Sequence, residues 1–161
     1  MATSPDPIFV DTNVLIYSKL ALSPFHPAAE AALQKLAADG AQIWISRQVL
    51  REYLAGMTRP GALTAAVAAG DLAADLRSFA AQFLVAEDGP AVTDHLINLF
   101  TNISVAGKQV HDTNIVATML AHSIPRLLTH NIDDFRRFGH LITLVPLVAD
   151  APLSVIEVGA V

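Results

Sequence analysis

Cysteine is absent from the 161 residues. Disulfide staples, thiolate metal sites and cysteine nucleophiles are therefore excluded. Aromatic residues make up only 6% of the chain and the charge balance is acidic, with 10 Lys and Arg against 15 Asp and Glu. A net charge of −5 argues against attraction of nucleic acid by bulk charge. No long clean apolar run is present either. The most apolar tract, Leu141 to Val161, carries Pro146, Asp150, Pro152 and Glu157, whereas a membrane span needs about 20 residues with almost none of these. The N-terminus MATSPDPIFV has neither a basic segment nor an apolar core, so a secretory signal is not expected. The expected setting is the cytoplasm, with no membrane partner.

What is present is an alternation of short apolar runs with helical periods. Ile8 to Val10, Gln42 to Ile45, Phe83 to Ala86, Leu127 to Thr129 and Ile142 to Val145 suit strands buried on both faces. Between them, helices are expected from Asp11 to about Leu20, over Ala28–Ala38 closed by Gly40, and over Arg47–Met57 with Ser46 as N-cap. Further helices are expected up to about Ala81, with Gly70-Asp71 as an interruption, up to Phe100, and over Asp112–Ala121, with a helical turn around Asp134 to Phe138. The pattern predicts an α/β fold: three layers, α/β/α, around a mostly parallel central sheet of four to five strands. The length suits one domain, 1–161, with a core of about 8–146 and a tail over 147–161.

Acidic and amide side chains recur where these strands end. Asp11 closes the first strand, and Asn131 with Asp134 follow a later one. Open parallel sheets bind ligands outside the carboxyl ends of their strands. Asp112 sits three, four, seven and eight residues before Ile115, Val116, Met119 and Leu120, so its carboxylate shares their apolar stripe. A buried carboxylate is neutralised, paired or bound to metal. Its position in a first helical turn also suits the helix dipole, which accounts for its place along the helix but not for its inward face. A helix cap would account for Asp11 alone, and a solvated helix glutamate for Glu52 alone. Together they form a carboxylate set whose ordinary use is to hold Mg²⁺ or Mn²⁺. The histidines lack zinc spacing.

The segments FVDTNVLIY, SRQVLREY, GKQVHDTNIVATML and LLTHNIDDFRRF, in that order and over roughly Ile8 to Val145, resemble the PIN-domain ribonucleases, and most of all the VapC-like toxins of toxin–antitoxin pairs. The resemblance implies an endoribonuclease dependent on Mg²⁺ or Mn²⁺, a homodimer, and a small cognate antitoxin as partner. By position Asp11, Glu52 and Asp112 match the family's three acidic residues and are the implied metal ligands, and Asn131 stands at the fourth site position; Asp134, near enough in sequence to reach a cation or a water, completes the candidate catalytic set. Asn13, Arg47, Lys108, Thr129 and His130 are candidates to position substrate, and Arg51, Arg136 and Arg137 to contact the RNA backbone. At the fourth acidic position many family members carry aspartate, and Asn131 adds no charge there. One well-held cation, with a second arriving with RNA, is the corresponding expectation.

Three other readings compete. A catalytically silent module would bind antitoxin or RNA without cleaving it. A phosphatase with Asp11 as nucleophile wants a second aspartate two residues later, where this chain has Asn13. DNA as the substrate is scarcely separated from RNA by these residues.

Overall fold

The structure, a computed structural model, describes residues 6–60 and 67–149. Five strands appear among them: β1 (Ile8–Val10), β2 (Ile43–Ser46), β3 (Leu84–Ala86), β4 (Arg126–Thr129) and β5 (Thr143–Pro146). They form one sheet in the order β3-β2-β1-β4-β5. Every pairing is parallel, with Ile8 opposite both Ile43 and Arg126 and Val10 opposite Leu128. β1 is fully buried, as its uninterrupted apolar triplet requires when helices cover both faces.

Helices α1 (Thr12–Lys19), α2 (His26–Ala38), α3 (Arg47–Met57) and α4 (Ala69–Gln82) carry the chain outward from β1 to β3. Helices α5 (Pro90–Asn102) and α6 (Gln109–Ala121) bring it back across to β4, and the short α7 (Ile132–Phe135) leads to β5. Right-handed crossovers place outward and returning helices on opposite faces of the sheet. The result is the expected three-layer α/β/α arrangement, and its sheet is wholly parallel. Strand order reverses between β1 and β4, which makes their carboxyl ends the switch point where such folds hold ligands.

Several boundaries follow local chemistry. Ser46 caps α3 by accepting from the Val49 amide at 3.3 Å. Gly40, at φ 68, takes the left-handed position that ends α2. Pro27 and Pro90 lie in the first turns of α2 and α5, where a missing N–H costs nothing. Other expectations are corrected. α6 begins at Gln109, so Asp112 is its fourth residue. Gln109 itself organises that start, its Oε1 accepting from the Ala106 amide at 3.0 Å and from Arg137 at 2.9 Å. α4 begins at Ala69, so Gly70-Asp71 lie in its first turn; residues 61–66, where the expected helix would start, lie outside the described residues. α6 is buried on most sides rather than along one stripe, and Leu120 is only partly covered. The tail beyond Ala149, including the apolar stretch Leu153 to Val158, lies outside the described residues. Among the described residues no helix is long and apolar enough to cross a membrane.

Candidate active site

β1 ends at Val10, and the next residue, Asp11, caps α1 at the switch point. Its carboxylate is almost wholly buried, at 6% exposure. Oδ1 accepts from the Thr12 amide at 2.7 Å, while Oδ2 accepts from Asn13 Nδ2 at 2.9 Å and from Thr129 Oγ1 at 2.7 Å. Thr129 closes β4, so a side chain from each of the two central strands meets over the carboxyl edge. Thr129 Oγ1 also receives the Asn131 amide at 3.0 Å, and the His130 amide donates to Asn13 Oδ1 at 3.1 Å. The loop after β4 is thereby tied to the start of α1. Despite these donors, burial pushes the Asp11 carboxyl up from 3.8 to about 6, with the neighbouring Glu52 charge adding to the rise.

Asp112, half-buried on α6, has no hydrogen-bond donor to its carboxylate among the described residues. Burial raises its pKa from 3.8 to about 7, and repulsion from Asp134, Asp11 and Glu52 pushes the same way, against a smaller opposing pull from Arg137. Arg137 is held by Gln109 Oε1 and by the Ser104 carbonyl at 3.0 Å. Glu52, on α3, accepts from Thr12 Oγ1 at 2.9 Å on one oxygen and from Gln48 Nε2 at 2.7 Å on the other.

Asp11, Glu52, Asp112 and Asn131 line one cleft of about 560 Å³, together with Tyr17 and Arg59. Gly56 borders it where α3 passes close over α1; a Cβ there would stand 2.5 Å from Ile16 Cδ1. Asp134 is exposed and acts on Asp112 through its charge. The remaining positioning candidates divide. Asn13 and Thr129 hold Asp11. The His130 ring packs on Phe25, with centroids 4.1 Å apart, and edge-on to Tyr17. Arg47 is engaged by Glu87 through two hydrogen bonds at 2.9 and 2.6 Å, and neither it nor Lys108 lines the cleft. Sequence reasoning missed Gln48, a buried amide one helical turn before Glu52. Its spacing was visible but its burial was not.

No three His, Cys, Asp or Glu side chains among the described residues stand close enough to make a ready-formed ligand cage. The donors around the cleft are hard carboxylate and amide oxygens, and one carboxylate has no protein donor among the described residues. Such a set fits a small dication that keeps several waters and takes one or two carboxylates directly.

Thr129→Val tests the Asp11 cradle. It is expected to lower stability by about 1–3 kcal/mol, because it leaves a buried carboxylate oxygen short of its donor. Chemical denaturation would measure this, and a change within error would show that Asn13 suffices.

A family model for the PIN domain matches residues 8–141. Ribonuclease VapC24 of Mycobacterium tuberculosis is 24% identical over 143 residues, covering 88% of this chain and 97% of its own. Among solved structures, VapBC2 from Rickettsia felis, bound to a DNA fragment from its promoter, superposes with a TM-score of 0.64 at 22% identity, over 86% of this chain and 97% of that one. Mycobacterium tuberculosis VapC20, described as a sarcin-ricin loop cleaving toxin, superposes with a TM-score of 0.55 at 16% identity, over 74% and 86% of the two chains. At these identities the structural matches carry the fold alone.

Proposed function

The chain belongs to the PIN-domain family, and from that premise we propose that it is an endoribonuclease dependent on Mg²⁺ or Mn²⁺, the toxin of a toxin–antitoxin pair. The observation that carries the reading is the shared cleft. Asp11 and Asp112 reach it from distant parts of the chain, and both have pKa values displaced upward at a switch point. The ribonuclease relatives support the chemistry, and the toxin–antitoxin complexes among the structural neighbours support a small protein partner. A homodimer, a cytoplasmic setting and a single PIN domain spanning the chain belong to the same proposal.

In this reading Asp112, Asp11 and Glu52 would hold the cation, Glu52 directly or through a water. A bound dication would polarise the scissile phosphate and stabilise charge on the attacking and leaving oxygens. The protein's own groups do the rest. Thr12 and Gln48 hold Glu52 so that its free lone pairs can take the proton of an attacking water. The water oxygen forms a bond to phosphorus as the bond from phosphorus to the leaving sugar oxygen breaks, and that oxygen takes up a proton from water in the open cleft. Asn131 donates from its amide to water or phosphate, and Arg59, at the rim, pairs with the RNA backbone without reading sequence.

The test is cleavage of a structured RNA, and of the same sequence as DNA, by purified protein with Mg²⁺ or Mn²⁺ and then with EDTA. RNA cuts that disappear on chelation are expected. Cleavage that persists in EDTA would overturn the cation's role. Stoichiometric RNA or antitoxin binding without cleavage in any cation would favour the silent module.

A further inference from the structure

The triplet Asp-Thr-Asn occurs twice, at 11–13 after β1 and at 112–114 inside α6. Both copies supply one aspartate to the cleft, and both also send a polar side chain toward Glu52. From the first, Thr12 Oγ1 donates to Glu52 Oε2 at 2.9 Å. From the second, Asn114 Nδ2 donates at 2.7 Å to Gln48 Oε1, and Gln48 Nε2 donates at 2.7 Å to Glu52 Oε1. Gln48 Nε2 also donates to the His111 carbonyl at 2.9 Å, one residue before Asp112. The Gln48 amide is buried, and its carbonyl and both N–H groups are all engaged. Among the described residues, the hydrogen bonds joining α3 to α6 all pass through this one side chain. The two helices lie on opposite faces of the sheet and meet over its carboxyl edge.

We infer that Gln48, oriented by Asn114, is a positioning residue that sets the span between the Glu52 and Asp112 carboxylates and so the fit of the cation site. The inference rests on the cation-dependent reading above. Among the described residues, no other hydrogen bond between α3 and α6 holds these two acids, which repel one another, at a defined separation. The amide cannot turn over without facing its carbonyl toward Glu52 and the His111 carbonyl, and Asn114 fixes the orientation by donating to that carbonyl. With the tie removed, Glu52 keeps Thr12 but loses its register with Asp112.

The experiment is Mn²⁺ titration of the protein without RNA, followed by the loss of the free-ion electron paramagnetic resonance signal. Wild type is compared with Gln48→Leu, Asn114→Ala, Glu52→Gln and the Gln48→Leu/Glu52→Gln double variant, each checked by thermal melting. Loss of an outer support typically weakens a site about 10–100-fold. Gln48→Leu is expected to weaken Mn²⁺ binding within that range, and Asn114→Ala, which acts on Glu52 only through Gln48, by less. In the Glu52→Gln background, Gln48→Leu should change Mn²⁺ affinity little, because the group it positions has gone. A purely structural role would lower the melting temperature and leave the affinity of the folded protein alone, or would add in full to Glu52→Gln. Either result overturns the inference. Should Gln48→Leu fail to fold, unchanged affinity in Asn114→Ala has the same force. Wild type that binds no Mn²⁺ would remove the cation-dependent reading itself, and this inference with it.

Discussion

Replacing Asp112 with asparagine is expected to abolish RNA cleavage while making the cation-free protein more stable. The two effects have one cause. At pH 8 the Asp112 carboxylate is ionised against burial and against Asp134, Asp11 and Glu52, and among the described residues it receives no hydrogen bond in return. An amide of the same shape removes that repulsion. Half of the side chain remains near water, which screens the cost, so the gain is on the order of 1–2 kcal/mol. Catalysis moves the other way. The amide is a weak ligand for a hard cation, and losing one such contribution to transition-state charge costs about 10³-fold or more. Single-turnover cleavage and thermal melting in EDTA measure the two halves. Full activity would remove Asp112 from the mechanism, and a clear loss of stability would show that it serves the fold instead.

The second large effect concerns pH and cation together. Folding raises the Asp11 carboxyl to about 6 and the Asp112 carboxyl to about 7 from the unfolded value of 3.8. Both groups therefore bind protons more tightly when folded. Their protonation stabilises the fold fully below about pH 4, and this contribution is lost as pH rises through 6 and 7. For Asp11, which is fully buried, the contribution is about 3 kcal/mol; Asp112 adds less than its displacement implies, because it reaches solvent. Cation-free protein should accordingly lose stability between about pH 4 and pH 7, and an Asp11→Asn/Asp112→Asn double variant should lack that slope. Added Mn²⁺ should restore the loss at pH 8, by about 2.7 kcal/mol at a hundred times its dissociation constant, and do little at pH 5, where protons hold the carboxyls. Melting curves at the two pH values, with and without Mn²⁺, decide it. An equal cation effect at both would mean that the ion binds elsewhere.

Much of this arrangement is legible in the residues, for physical reasons. The apolar triplet before Asp11 suits a strand covered on both faces, and a carboxylate at its end falls where parallel sheets keep their ligands. The apolar neighbours of Asp112 foreshadow its half-burial, although α6 is covered on most sides rather than along one stripe. Contacts across the chain are harder to foresee. Arg47 looks free beside Glu52 in sequence, but Glu87, 40 residues later, engages it. Gln48 reads as an ordinary helix amide, and only the return of α6 over the sheet edge buries it. The start of α6 precedes the expected one because no capping side chain marks it: Lys108 makes no cap hydrogen bond, and Gln109 with Arg137 does that work from outside the usual pattern.

On the proposed function, the reversal of strand order at β1 and β4 governs when the chain could first act on RNA. Thr129 reaches Asp11 across 118 positions of chain, and Asn114 reaches Gln48 across 66. No fragment that ends before β4 can hold the first pair, and none that ends before α6 can hold the second. On the proposed function, the growing chain would be inactive while its earlier elements are made and would complete its cleft only once β4 joins the sheet. An inhibitor translated beside it would have that interval in which to arrive.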